Sequence, residues 1–276
     1  MKGIIRSLII FLLVLFLSSC NSISKIEEMI GTKNSEFEYL KNTDNINEII
    51  VENARDEKFK FIITDKYTIS DIYDMLSRGK VVLEKSEFKP DYIFTIEDVN
   101  GNNYKYYYVA GNFTSIYGNF YDDNNKIFYI SDALDKNIIN NFLILRKPPQ
   151  EFNEIYYDCI IQAINKYYDE NKDDINKPIA IDLYDDVEYR RFIFSYDVNN
   201  FVDKLQQMNL NFNVYDTEKP IQTLTMLSVN TIGFDETTYE CKYTFTKDQA
   251  YESYTLRADY KDKKWDTNIS KDDASQ

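Results

Sequence analysis

The stretch Thr237–Thr246, TTYECKYTFT, decides the fold of the C-terminal half of the chain. Polar residues alternate in it with four apolar ones: Tyr239, Cys241, Tyr243 and Phe245. Successive side chains of a strand point to opposite faces, so this pattern predicts an antiparallel strand with one buried and one solvated face. SYTLRADY at 253–260 repeats the pattern, and TKDQ at 246–249 supplies a turn between the two predicted strands.

The residues before these strands indicate what covers the sheet. EFNEIYYDCIIQAINKYYDEN at 151–171 predicts a long helix with one broad apolar face. PIAIDLY (178–184) and YRRFIFSYD (189–197) have the apolar runs of strands, and NNFVDKLQQM (199–208) that of a second helix. A long helix on a curved antiparallel sheet suggests a cystatin-like or NTF2-like second domain over residues 150–270, but that arrangement alone indicates no function.

RKPPQ at 146–150 is the predicted domain boundary, because two prolines end a helix and stiffen the chain. The predicted first domain, residues 56–147, contains a strand, a helix near 68–79, several antiparallel strands and a closing helix. Asn100-Gly101 has the composition of a hairpin turn. The fold class is therefore α+β, with two small domains that each pack helices on an antiparallel sheet.

Three segments of the first domain resemble a known family: ITDKYTISDIYDML (63–76), PDYIFTIEDVNGNNYKYYYV (90–109) and FYISDALDKNIINNFLIL (128–145). Together they are similar to the YhfM-like domain of bacterial lipoproteins over about residues 58–147. The tyrosine-rich strand departs from the family pattern. The resemblance implies a location in the cell envelope, but it implies neither a reaction nor site residues.

The N-terminus has the three parts of a secretory signal: a positive start with Lys2 and Arg6, a short apolar run, and small residues before Cys20. The run is too short to span a bilayer comfortably. Leu17-Ser18-Ser19-Cys20 also resembles the bacterial lipobox. That resemblance implies removal of residues 1–19 and acyl chains such as palmitate on Cys20. The alternative is an ordinary cleaved signal.

The predicted lipoprotein signal implies an extracytoplasmic location and a membrane as one partner. Acyl chains on Cys20 would attach the protein to a membrane, either the cell membrane or an outer membrane, on its extracytoplasmic side. The polar residues 20–55 would then be a tether between the lipid anchor and the folded part.

Charge and composition exclude several classes of function. The chain has 32 basic and 46 acidic residues and a net charge of −14, and loss of Lys2 and Arg6 makes it more negative. Such a surface repels nucleic acid and anionic lipid headgroups, because neutralising phosphate requires clustered Lys and Arg. The sequence contains no histidine, which excludes Ser-His-Asp and Cys-His catalysis and His-ligated zinc. We therefore expect a protein that is not an enzyme and has no cofactor.

Cys159 and Cys241 are the cysteines that follow Cys20, and both lie on predicted apolar faces. Outside the cytoplasm they can form a disulfide, which would close a long loop and add about 4 kcal/mol of stability. The alternative is two separate buried thiols that pack as small apolar residues.

Tyr104, Tyr106 and Tyr108 are the candidate aromatic binding surface, since tyrosines can stack on a sugar or a partner. The alternative is a half-buried strand, which tyrosine also favours. The acidic stretches 170–174 and 182–188 do not match the spacing of a calcium-binding loop, and we expect no metal site.

The leading hypothesis is a lipid-anchored, non-enzymatic envelope protein that binds a protein partner, a peptide or a glycan. The alternatives are an envelope hydrolase that uses carboxylates or a Ser/Tyr nucleophile, and a spacer without a ligand. A pocket with converging acids of raised pKa in the second domain would favour the hydrolase. An exposed aromatic patch without such a pocket would favour binding.

Overall fold

The computed structural model describes residues 34–111, 116–143, 149, 151–175, 177–215 and 225–273. The chain divides into two units. The first unit consists of residues up to Val51, Lys60–Glu87 and Tyr92–Lys136, and the second of Glu52–Phe59, Phe88–Asp91 and 137–276. One seven-stranded and one six-stranded sheet are present, with helices packed on them. The predicted α+β class with two small domains is therefore confirmed, whereas the cystatin-like or NTF2-like detail stays a prediction.

The first sheet has the strand order β2-β1-β4-β5-β6-β7-β3. Its strands are β1 Ile46–Asn53, β2 Asp56–Ile63, β3 Lys80–Val81, β4 Tyr92–Asp98, β5 Asn103–Tyr108, β6 Phe120–Tyr121 and β7 Ile127–Tyr129. Helix α1 is Lys66–Ser77, and the Asp65 side chain caps it by accepting a hydrogen bond from the backbone N–H of Thr68. Helix α1 buries Ile69, Ile72 and Leu76, as the helical spacing predicted.

The predicted tether is wrong over its C-terminal part, because the folded chain already includes residue 34. Two 3-10 helices, Ser35–Leu40 and Thr43–Asn45, lead into β1. Phe37 and Leu40 are fully buried in this segment. Two apolar residues three positions apart are enough to bury one side of a short helix, but among polar neighbours they give a weak signal.

Aromatic rings fill the core of the first unit. Phe37 lies 5.6 Å from Tyr106 and 5.0 Å from Phe128, measured between ring centroids. Tyr106 also stacks on Phe120 at 4.9 Å. The buried hydroxyl of Tyr108 donates a hydrogen bond of 2.7 Å to a carboxylate oxygen of Asp135. Strands β3, β6 and β7 have only two or three residues each, so large rings from the neighbouring elements contribute much of the buried apolar surface here.

The second sheet has the order β13-β12-β11-β10-β8-β9. Its strands are β8 Ile179–Asp182, β9 Phe212–Tyr215, β10 Thr225–Phe234, β11 Thr238–Lys247, β12 Ala250–Lys261 and β13 Lys264–Lys271. The α-helices of this unit are α2 Asn140–Leu143, α3 Phe152–Glu170, α4 Val187–Phe192 and α5 Ser195–Gln207, and a π-helix over Asp135–Ile139 precedes α2. The sheet is mixed, because β8 pairs in parallel with β9 and β10.

Strand β11 is the long amphipathic strand that TTYECKYTFT predicted. It pairs antiparallel with β12, with Cys241 opposite Leu256 and Tyr243 opposite Tyr254. The four alternating residues from Tyr239 to Phe245 are all buried in one hydrophobic core with the apolar face of α3.

The strand predicted over 189–197 is wrong. Helix α4, with the Asp186 side chain as its cap, occupies the first four of these nine residues, and α5 begins at Ser195 and takes the last three. Tyr189, Phe192 and Ile193 are buried with the helical spacing of three and four. Their β-forming composition favoured a strand, but the cap and the packing of this face on the core determine a helix.

The domain boundary also differs from the prediction. The last change from the first unit to the second falls between Lys136 and Asn137 rather than at RKPPQ, and two earlier segments, Glu52–Phe59 and Phe88–Asp91, already belong to the second unit. Most of RKPPQ lies outside the described residues.

A buried ion pair lies within the second unit. The Arg55 guanidinium contacts an Asp91 carboxylate oxygen at 2.8 Å, and both side chains are almost fully buried. That oxygen also accepts a hydrogen bond of 2.7 Å from the backbone N–H of Ser195. The start of α5 is therefore held by a charged group, and removal of one charge would leave the other buried without its counter-ion.

Candidate ligand-binding cleft

A cleft of about 450 Å³ lies between α3 and α5 of the second unit. This volume falls within the range of about 300–1,000 Å³ that is usual for small-ligand sites. The residues that line the cleft are Asn153, Glu154, Tyr157, Asp158, Tyr196, Asp197, Asn200, Phe201 and Lys204.

Two aromatic rings form the apolar part of the cleft. Tyr157 of α3 and Phe201 of α5 stack with ring centroids 4.3 Å apart and an angle of 16° between the ring planes. Both rings belong to the core of the unit. They therefore fix the separation of the two helices and give the cleft a rigid apolar wall.

Asp197 is the most buried of the acids in the cleft. One carboxylate oxygen accepts a hydrogen bond of 3.1 Å from the Asn153 amide, and the other accepts one of 3.0 Å from the backbone N–H of Phe194. Burial raises the pKa of Asp197, and the hydrogen bonds from Asn153 and Phe194 oppose that rise. A positive group that enters the cleft would compensate for the desolvation of this carboxylate.

The other charges of the cleft leave it acidic. Lys204 forms an ion pair with Asp158 at 2.5 Å, in which both side chains are about half exposed. Glu154 is exposed and adds a further carboxylate. With three acids and one lysine, the cleft attracts cationic ligands, repels anions and does not discriminate against neutral ligands.

Tyr196 and Asn200 stand one helical turn apart on α5 and face the same cleft. Tyr196 is 41% exposed, and its ring meets the edge of Phe88 at 5.8 Å. A partly exposed tyrosine held by another ring offers a stacking face, and the adjacent amide offers a donor and an acceptor. This combination of planar polar groups with a ring can bind a sugar or a peptide.

The predicted aromatic surface on β5 is wrong in two of its three residues. Tyr106 is 3% exposed and Tyr108 is fully buried, while Tyr104 is half-buried and stacks on Tyr39 at 4.2 Å. The strand lies between β4 and β6 and its rings pack into the core, as the half-buried alternative required.

Cys159 and Cys241 are both buried in the core of the second unit, and both are free thiols. The structure therefore contains two separate thiols, one of the two arrangements that the sequence left open, and not the disulfide. Burial raises the pKa of both thiols, that of Cys241 to about 12. Neither sulfur can act as a nucleophile near neutral pH.

The remaining predicted features give no second site. Cys20 and the whole signal segment lie outside the described residues. Over the part of the chain that the structure describes, no helix is long and apolar enough to cross a membrane. Within the same residues, no group of three acidic or cysteine side chains is arranged to hold a metal ion.

The sequence pattern does not predict the cleft, because the apolar face of α3 dominates the pattern of that helix and the start of α5 has the composition of a strand. A signal was nevertheless present. Residues 153, 154, 157 and 158, and likewise 196, 197, 200, 201 and 204, follow the helical spacing of one face and combine polar with aromatic side chains.

Comparison with known proteins concerns one stretch of the chain, which contains most of the first unit and parts of the second. Residues 42–148 match the family model described as YhfM protein. This match confirms the resemblance found in the sequence and begins earlier than expected, in agreement with the folded segment before residue 56. No curated protein and no solved structure matches the chain significantly.

Proposed function

We propose that this chain is a lipid-anchored, extracytoplasmic envelope protein that binds a peptide or a glycan without transforming it, and that the cleft between α3 and α5 is its binding site. The observation that carries the proposal is the cleft itself, which combines a rigid aromatic wall with converging amides and carboxylates. Clefts of this size that combine apolar side chains with converging polar groups are the usual form of a ligand site, and this one is richer than most in polar groups.

The lipid anchor rests on the sequence of the N-terminus. A positive start, a short apolar run and Leu17-Ser18-Ser19-Cys20 have the order and spacing of a lipoprotein signal. The test is the intact mass of the protein extracted from native membranes. We expect the mass of residues 20–276 plus a diacylglyceryl group, with or without a further acyl chain, and an unmodified chain would contradict the anchor.

The binding site is tested by titration of the purified chain with three probes: trilysine, chitotriose and triglutamate. We expect trilysine or chitotriose to bind and triglutamate not to bind, since the cleft is acidic. Asn200→Ala should weaken the binding about tenfold, equivalent to about 1.4 kcal/mol, because the amide faces the cleft.

Asn199→Ala is the matched control. Asn199 is the preceding residue of the same helix, is also exposed, and does not line the cleft. It should bind the probes like the unchanged protein. Equal losses in both variants, or no binding of either expected probe at millimolar concentration, would contradict the proposed site.

A second candidate, a hydrolase that uses carboxylates, is favoured by one observation. Asp197, whose pKa burial raises, shares the cleft with Glu154 and Asp158. A general acid needs such a raised pKa. This cleft therefore meets part of the criterion stated above for a hydrolase. We nevertheless place binding first, because both oxygens of Asp197 already accept hydrogen bonds and Asp158 is paired with Lys204. Product formation from chitotriose or trilysine that Asp197→Asn abolishes would establish the hydrolase instead.

A further inference from the structure

Four large apolar side chains are exposed in two segments of the first unit. They are Val81, Leu83, Ile116 and Tyr117, and Leu83 is 95% exposed. Single exposed apolar residues are common on protein surfaces, whereas groups of them mark sites of interaction.

The two segments lie side by side. The backbone N–H of Gly118 donates a hydrogen bond of 2.8 Å to the carbonyl of Glu84, and the N–H of Ser86 donates one of 2.8 Å to the carbonyl of Gly118. Lys85 and Gly118 form a parallel bridge. Leu83 directly precedes Glu84, and Ile116 and Tyr117 directly precede Gly118. Glu84 and Gly118 are hydrogen-bonded to each other. We call the four exposed apolar residues the apolar tip.

The described chain begins next to the apolar tip. The backbone N–H of Asn34 donates a hydrogen bond to the carbonyl oxygen of Ser77. The side-chain amide of Asn34 donates one of 3.5 Å to the carbonyl oxygen of Gly79. Gly79 is two residues before Val81. Fourteen peptide units separate Cys20 from Asn34 and can span at most about 50 Å. A lipid anchor on Cys20 would therefore leave the apolar tip within reach of the bilayer.

Basic residues surround the tip in a chain that is otherwise strongly acidic. Arg78, Lys80 and Lys85 are exposed, against two exposed acids, Glu84 and Glu87, so residues 78–87 carry a small net positive charge. Positive side chains beside exposed aliphatic and tyrosine side chains are typical of segments that lie in the interface of an anionic bilayer.

We propose that the apolar tip inserts into the headgroup region of the membrane that carries the anchor, as a second attachment point that orients the first unit. This inference rests on the lipid anchor of the proposed function. A bilayer is the occupant we favour because Leu83 projects almost completely into solvent, which suits a fluid phase, and because the basic residues complement anionic lipid.

The experiment places a tryptophan in the tip and measures its depth. Leu83→Trp is made in the full chain together with Trp265→Phe, which removes the native tryptophan. The processed protein is mixed with vesicles of phosphatidylcholine and phosphatidylglycerol at 7:3 that contain nitroxide-labelled lipid. We expect blue-shifted emission and at least twofold quenching, with about tenfold less lipid required than for vesicles of phosphatidylcholine alone.

Ile232→Trp in the same background is the matched control, because Ile232 is an exposed aliphatic residue of the second unit. Its emission should remain unchanged. Similar quenching at both positions would contradict a specific tip.

The intact mass of the same sample separates this inference from the anchor. If the Leu83→Trp protein is acylated and bound to vesicles but its tryptophan emission is not quenched, insertion of the apolar tip is contradicted and the lipid anchor stands. Unacylated protein whose emission is quenched at high lipid supports the tip and contradicts the anchor. A blue shift that grows with protein concentration in the absence of lipid overturns the bilayer and identifies a second copy of the chain as the occupant.

Discussion

Strand β5 of the first unit and helix α5 of the second both carry tyrosine, but in opposite environments. Tyr106 and Tyr108 of β5 are almost completely buried, whereas Tyr196 of α5 is 41% exposed beside the cleft. β5 is hydrogen-bonded to strands on both sides and packs its rings under a helical segment. α5 packs one face on the core and leaves another face open.

The difference shows that aromatic density along the chain is a poor guide to a binding surface. A strand in the interior of a small sheet has to bury alternate side chains, so a run of tyrosines there fills the core. A single tyrosine on a helix, one turn from an amide and next to a second helix, has a better position to contact a ligand. The comparison therefore separates structural tyrosines from the one that we assign to binding.

The largest expected effect is the loss of a ring from β5. Tyr108→Ala should lower the free energy of unfolding by about 3–5 kcal/mol, because it removes a fully buried ring and leaves a cavity. Chemical denaturation measures this loss. Tyr108→Phe, which keeps the ring but removes the hydrogen bond to Asp135, should cost about 1–3 kcal/mol. A loss below about 1 kcal/mol for Tyr108→Ala would contradict the structural role of β5.

The next effect concerns a buried tyrosine of the second unit whose hydroxyl contacts a charged carboxylate. Tyr167 donates a hydrogen bond of 2.6 Å to Asp174, which also contacts Lys177 at 2.7 Å and Lys247 at 2.6 Å. Lys177 first, and then Lys247 and Tyr167, hold the pKa of Asp174 well below its ordinary value of 3.8. Because the folded pKa is the lower one, this carboxylate stabilises the protein at neutral pH, and the contribution is lost as the pH falls below about 4.

Asp174→Asn should therefore destabilise the protein at pH 7 and make its stability depend less on pH between about 5 and 2. Denaturation at several pH values measures both effects. Asp173→Asn is the control, because Asp173 is the exposed neighbour. If the two variants had the same pH profile, the contacts of Asp174 would not contribute to stability.

The sequence predicted much of the fold but little of the cleft. Strand β11 and helix α3 were predictable because their apolar residues repeat with the period of one element over ten or more residues. Helix α4 was not, because its aromatic and β-branched residues favour a strand until the core that they contact is known. The cleft depends on two helices that are distant in sequence, so neither helix alone indicates that Asn153 will meet Asp197.

The third prediction separates binding from stability at Tyr196. Tyr196→Ala should weaken the binding of trilysine or chitotriose about tenfold and change the free energy of unfolding by less than about 1 kcal/mol, because the ring is partly exposed. Tyr251→Ala is the matched control, since Tyr251 is an exposed tyrosine of the same unit that does not line the cleft. It should change neither quantity. A large loss of stability in Tyr196→Ala would show that Tyr196, like the tyrosines of β5, has a structural role.

The smallest expected effect concerns the labelling of thiols by iodoacetamide. A thiol on the buried face of α3 should not react, whereas one introduced on the exposed face should. Cys159 is fully buried, whereas Glu154 on the same helix is exposed and lines the cleft. With Cys20 acylated, iodoacetamide should label the folded protein at neither Cys159 nor Cys241, because both thiols are buried and have a raised pKa. Glu154→Cys should add one label in the folded state. Denaturation without a reductant should then allow both native cysteines to react, because they are free. Failure to label them until a reductant is added would show that they are bridged and that α3 is covalently joined to β11.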